Sequence, residues 1–241
     1  MTVYLTSSPF VEGTPLFSED NGFARMLLSD LSKPVRALFV ASNPADVEGT
    51  EEWARYMKES LGELGANVLT SNVLHERTAT DVSYFLSGAN FIMLSGGHVP
   101  TQNRFFQRLG FRSLLTGWQG VLLGVSAGSM NSAERVYALP EEEGEAVDPF
   151  YQRFLPGLGL THTCVIPHFQ KLKGMMLDGK LVIEDLAQAD SMGHRFYALP
   201  DGSFVYKKGS REEPTDLPAD CGSKSAASIP TLQAKLRRIS Q

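Results

Sequence analysis

Gly120-Val121-Leu122-Leu123-Gly124-Val125-Ser126-Ala127-Gly128-Ser129-Met130-Asn131 is the stretch from which the rest of the chain is read. An apolar run, Gly120–Leu123, leads into a Gly-x-Ser-x-Gly segment, Gly124–Gly128, and a helix-compatible stretch follows over Ser129–Tyr137. Strand, tight turn and helix in that order are what a nucleophile elbow requires. In such an elbow the serine occupies a strained turn, and small neighbours at Gly124, Ala127 and Gly128 let chain and substrate approach closely. A helix starting there directs its first amides toward a developing oxyanion. Ser126 is therefore the candidate nucleophile; the bland alternative is a glycine-rich turn with an ordinary serine.

Outward from the elbow, short apolar runs alternate with amphipathic stretches. Strands are predicted over Val3–Thr6, Arg36–Ala41, Asn67–Leu69, Phe91–Leu94, Val121–Leu123 and Thr163–Ile166. Helices are predicted over Val47–Leu64, with Thr50 as a candidate N-cap, and over Thr80–Leu86 and Asn103–Leu115. Strands this short and this apolar suit a sheet covered on both faces, which gives an α/β three-layer sandwich with a mostly parallel sheet flanked by helices. Later, Leu181–Ala189 reads as a helix, and Arg195–Lys207 as two short strands joined at Pro200-Asp201-Gly202. The expected organisation is one domain over 1–207 and a polar, weakly packed tail over 208–241 ending in a helix-like piece, Leu232–Ile239.

Composition narrows the function classes. The chain has 241 residues, 27 acidic against 22 basic, for a formal charge of −5. That balance disfavours nucleic acid, whose phosphates want a basic surface. Cys164 and Cys221 are too few and too far apart for a disulfide framework, and no apolar run is long enough to span a membrane. With no signal-like N-terminus, the expected compartment is the cytoplasm.

A serine nucleophile needs a base, and the five histidines are His75, His98, His162, His168 and His194. His168 stands out because it ends the run Thr163–Ile166 after Pro167, and strand ends are where open α/β sheets gather their sites. His98 follows Ser95-Gly96-Gly97 and suits the pocket wall, while His75 and His194 read as surface residues. The amides of the Gly96-Gly97 loop could complete an oxyanion hole with that of Ala127. Residue chemistry leaves the orienting acid open among Glu141, Glu142, Glu143, Glu145, Asp148, Glu184, Asp185, Asp190 and Asp201.

Four segments together resemble peptidase family S51, which includes dipeptidase E and, more distantly, the cyanophycinases. They are Leu94-Ser95-Gly96-Gly97, Gly124–Asn131, Gly157-Leu158-Gly159-Leu160 and Ile166-Pro167-His168-Phe169. The resemblance implies a class I glutamine amidotransferase-like, flavodoxin-like fold with serine in place of cysteine. It makes Ser126 the nucleophile, His168 the base, and Gly97 and Ala127 the oxyanion donors. It also makes Asp201, in Leu199-Pro200-Asp201-Gly202, the first choice of acid. Glu141 and Glu142 are the second choice, as acid or, with His98, as pocket residues. The activity it implies is hydrolysis of small peptides, with no metal or organic cofactor; a homo-oligomer stays open. The arginine with which dipeptidase E reads aspartate has no counterpart in Gln170–Met176, where Lys171 or Lys173 could serve as a point charge. A non-catalytic binding protein on the same scaffold and an α/β-hydrolase esterase are the competing readings.

Overall fold

Alternation along four neighbouring strands divides the core into two. The computed structural model describes residues 1–192, 194 and 196–214. The first half of the chain runs β1 (Thr2–Thr6), α1 (Phe23–Asp30), β2 (Val35–Val40), α2 (Val47–Glu63), β3 (Val68–Leu74) and α3 (Val82–Gly88). It continues through β4 (Phe91–Leu94), α4 (Val99–Leu109), α5 (Phe111–Leu114), β5 (Val121–Val125) and α6 (Ala127–Asn131). Because successive strand residues face opposite sides, Leu5, Leu38, Val40, Ile92 and Leu122 fall in one cluster. Tyr4, Phe39, Met93 and Leu123 fall in the other. The first is covered by Leu86 of α3, Phe105 and Phe106 of α4 and Met130 of α6; the second by Phe23 and Leu27 of α1 and Met57 and Leu61 of α2. The result is the three-layer sandwich expected.

The second half adds β6 (Arg135–Tyr137), β7 (Phe154–Pro156), β8 (Cys164–Ile166), α7 (Phe169–Leu172), β9 (Met176–Leu177) and β10 (Lys180–Leu181). A π-helical turn, Val182–Ala187, then runs into α8 (Gln188–Asp190), and β11 (Phe196–Ala198), β12 (Phe204–Lys208) and β13 (Arg211–Pro214) follow. Seven strands form the main sheet in the order β13-β12-β1-β5-β4-β2-β3. The five from β1 to β3 are mutually parallel, while β12 pairs antiparallel with β1 and β13 antiparallel with β12. Among the described residues no helix is long and apolar enough to cross a membrane.

Several local expectations are corrected. Ser129–Tyr137 is not one helix: α6 stops at Asn131, and Arg135–Tyr137 pairs with β7 as a strand. Asp46 caps α2, accepting from the Gly49 amide, and Thr50 lies inside the helix. The strands either side of Pro200–Gly202 are not a hairpin, since β11 pairs with β8 while β12 joins β1 in the main sheet. The chain after Lys207 goes on as β13, where Glu212 accepts from the hydroxyls of Thr161 (2.7 Å) and Thr163. Leu232–Ile239 and Cys221 lie outside the described residues.

The elbow helix sits hard against β4. A β-carbon on Gly128 would lie 2.5 Å from the Leu94 carbonyl oxygen. Overpacking against a backbone atom forces the chain to shift and costs about 1–3 kcal/mol. Gly128→Ala should therefore lower the urea midpoint at unchanged m-value; an unmoved midpoint would mean that α6 is free to back away from β4.

Candidate active site

β5 occupies the middle of the main sheet, and Ser126 is the first residue past its carboxyl end. Its backbone has φ +48° and ψ −110°, a region that costs a non-glycine residue about 1–3 kcal/mol. The turn is held by the Ser126 N–H, which donates to the carbonyls of Thr6 (3.0 Å) and Ser7 (3.1 Å) at the end of the adjacent β1. Ser126 Oγ lies 3.0 Å from His168 Nε2.

His168 comes from the end of β8, past Pro167, and also takes a positive φ of +54°. Its Nδ1 is 2.6 Å from Asp201 Oδ1. Asp201 sits in the turn between β11 and β12, closed by the Ser203 amide donating to the Pro200 carbonyl (3.1 Å). The same Oδ1 accepts the Ser7 hydroxyl at 2.6 Å. Oδ2 accepts from Gln170 Nε2 at 2.5 Å and faces Lys171 Nζ at 3.1 Å. Burial pushes the Asp201 carboxyl up, but hydrogen bonds from His168 and Ser7, the charge of His168 and the Lys171 ammonium outweigh it. The carboxyl is held well below the usual range.

The glycine loop after β4 closes over the elbow. A β-carbon on Gly96 would come within 3.2 Å of Ser126 Cβ, and one on Gly97, whose φ is +149°, would lie 2.4 Å from Ser42 Oγ. Neither the Gly97 nor the Ala127 amide has a hydrogen-bond partner among the described residues.

The model of peptidase family S51 matches residues 5–213. The chain belongs to peptidase family S51. Its fold is similar to that of a Listeria monocytogenes EGD-e protein provisionally assigned as a peptidase E. The two share 15% identity and a TM-score of 0.60, over 90% of this chain and 98% of that one. A peptidase from an acI-B1 Actinobacterium is similar too, at 19% identity and TM-score 0.61, over 88% and 84% of the respective chains. No curated protein matches the sequence.

The other residues singled out in this S51 peptidase lie off the Ser126–His168–Asp201 line. His98 occupies the N-cap position of α4 without a side-chain cap bond, its Nδ1 2.8 Å from Thr101 Oγ1 and its Nε2 2.9 Å from Glu145 Oε1. The other oxygen of Glu145 accepts the amides of Glu141 and Glu142 (2.9 and 3.0 Å). Desolvation first, then Glu145 and Glu142, pushes the Glu141 carboxyl up, although the residue as a whole faces solvent. Among the described residues no hydrogen bond or ion pair joins Glu141 or Glu142 to His168, whereas Asp201 makes both. His98, Glu142 and Glu145 are near enough to share a cation, with ligating atoms within 4.8 Å of one another. His98 and Glu145 already bond each other.

Two histidines expected at the surface are not free there. His75 is buried against Glu51 (2.8 Å), and His194 packs on the Phe154 ring with 4.8 Å between centroids. Lys171 pairs with Asp201 Oδ2 while most of its side chain lies in solvent. The sequence reading missed Ser7 and Gln170. A polar residue just beyond an apolar strand was the signal for Ser7, and the strand-end rule that singled out His168 applies to it equally.

A depressed carboxyl pKa has a defined sign. Ionised Asp201 stabilises the fold above the ordinary value of about 3.9, and that contribution is lost as pH falls through the lowered one. Asp201→Asn should thus lower the melting temperature relative to the parent at pH 7, with the gap narrowing below about pH 4. A gap that widens on acidification would contradict the assignment.

Proposed function

We propose that this S51 peptidase is a serine-type enzyme hydrolysing small peptides through an acyl-enzyme. One observation carries the reading: Ser126 Oγ, the His168 ring and the Asp201 carboxylate lie in line, at 3.0 Å and 2.6 Å. A hydroxyl is a weak nucleophile until a base takes its proton, and an imidazole is a good base only in the tautomer that leaves Nε2 bare. Asp201, kept ionised, accepts from Nδ1–H and so selects that tautomer.

Ser126 Oγ attacks the scissile carbonyl carbon and passes its proton to His168 Nε2. The C–N bond breaks as His168 returns that proton to the leaving amine, and water repeats the two steps on the ester. The Gly97 and Ala127 amides serve the tetrahedral oxyanion. The esterase alternative is weaker because the acid that reaches His168 follows it in the chain, whereas that family places the acid first. The non-catalytic alternative leaves unexplained why a strained serine and a strained histidine face each other.

A fluorophosphonate probe should label Ser126 and fail to label Ser126→Ala. A dipeptide library spanning Asp-X, β-Asp-X and other N-terminal residues should be hydrolysed by the parent alone. Asp201→Asn should lower kcat on the order of 10⁴-fold through the wrong tautomer. An unchanged rate in that variant would remove Asp201 from the mechanism.

A further inference from the structure

We infer that Ser7 is a positioning residue that fastens all three members of the Ser126–His168–Asp201 line to the end of β1. The inference rests on the serine-peptidase reading above.

Ser7 is fully buried at the residue after β1, the strand lying parallel to β5. Each of its polar atoms has a partner. The amide donates to the Ser203 carbonyl (3.3 Å), two residues beyond Asp201, and the carbonyl accepts from the Ser126 amide (3.1 Å). The hydroxyl oxygen accepts from the His168 backbone amide (2.7 Å) and donates to Asp201 Oδ1 (2.6 Å).

Proton accounting gives these contacts a consequence for the base. A serine hydroxyl has one hydrogen, and a carboxylate can only accept. The Ser7 hydrogen is therefore committed to Asp201 and is not available to His168 Nδ1, which stands 3.5 Å away. Nδ1 must then carry its own hydrogen toward Oδ1, leaving Nε2 bare toward Ser126. The hydrogen bond from the His168 amide to Ser7 Oγ also helps hold His168 in its left-handed backbone conformation, which is uncommon for a non-glycine residue. Ser7 touches neither substrate nor a reacting atom.

The test is Ser7→Ala in the full chain, read by the rate of fluorophosphonate labelling at Ser126 from pH 5 to 9. Labelling should persist but slow by about 10- to 100-fold, the size expected for losing one hydrogen bond to a charged group. Its acid limb should move to higher pH, because Oδ1, relieved of one donor, would bond the His168 imidazolium more strongly. In an Asp201→Asn background the same change should cost under about threefold, since partners in one network are not additive.

A parental rate with an unmoved limb overturns the inference. So does a uniform loss at every pH, or an equal cost in both backgrounds, for these mark a packing role. Should the alanine variant not fold, Ser7→Cys keeps the side chain with a weak donor and is held to the same outcomes. If the parent is not labelled at Ser126 at all, the serine-peptidase reading falls and takes this inference with it. Labelling of the parent with an unaffected Ser7→Ala removes the inference alone.

Discussion

The parallel pairing of β1 with β5 runs in register to the last residue of both strands, Thr6 opposite Val125. The next residues, Ser7 and Ser126, therefore leave the sheet side by side, and the Ser126 amide meets the carbonyls of Thr6 and Ser7. Two hydroxyls cross-link the same junction. Thr6 Oγ1 donates to the Gly124 carbonyl (2.7 Å), and the single hydrogen of Ser129 Oγ is shared between the carbonyls of Thr6 and Gly124 (both 2.8 Å). A net hydrogen bond contributes about 0.5–1.5 kcal/mol, so a handful suffices to offset the strain of a serine at positive φ. Without that junction the elbow would relax, and Ser126 Oγ would have no reason to face His168.

Sheet topology explains why the acid can follow the histidine. Parallel strands deliver their carboxyl ends, and the loops after them, to one edge of the sheet; Ser126 follows β5, and His168 follows β8 in its small side sheet. β12 runs antiparallel to β1, so the loop that precedes it arrives at that same edge. That loop is the Pro200–Gly202 turn, and the Gly202 amide pins it by donating to the Ser8 carbonyl (2.9 Å). One reversed strand thus supplies a carboxylate that bonds His168 yet follows it in sequence, with no rearrangement of the parallel core.

What could be read from sequence was what local chemistry determines. The apolar runs of β1, β2, β4 and β5 and the glycine spacing of the elbow carry their meaning within ten residues or so, and the fold class follows. Asp201 was less legible: residue chemistry offered it as one acid among many, and only the Leu199–Gly202 resemblance raised it. Ser7 was hard to single out because a serine after a strand looks like any loop residue until partners 119 to 196 positions away come into view. His75 misled for the same reason, its partner Glu51 belonging to another element. β13 reads as tail because its polar residues look solvated, and the threonines that bond Glu212 lie some fifty residues earlier.

The outer face of Asp201 bears on specificity. Lys171 stands 3.1 Å from Oδ2 with most of its side chain in solvent, and Gln170 shares that oxygen. An exposed ammonium gains little from a single carboxylate and is easily drawn away. A substrate carboxylate reaching for Lys171 would compete with Asp201 for the same charge, so recognising acid on the substrate and orienting His168 would draw on one residue. An arginine set apart from the Ser–His–Asp line carries no such conflict, because its fork can hold a carboxylate by itself. In the proposed mechanism, selectivity for an acidic side chain and full orientation of His168 would pull against each other. An uncharged N-terminal residue leaves Lys171 where it stands and keeps both outer bonds of Asp201 intact.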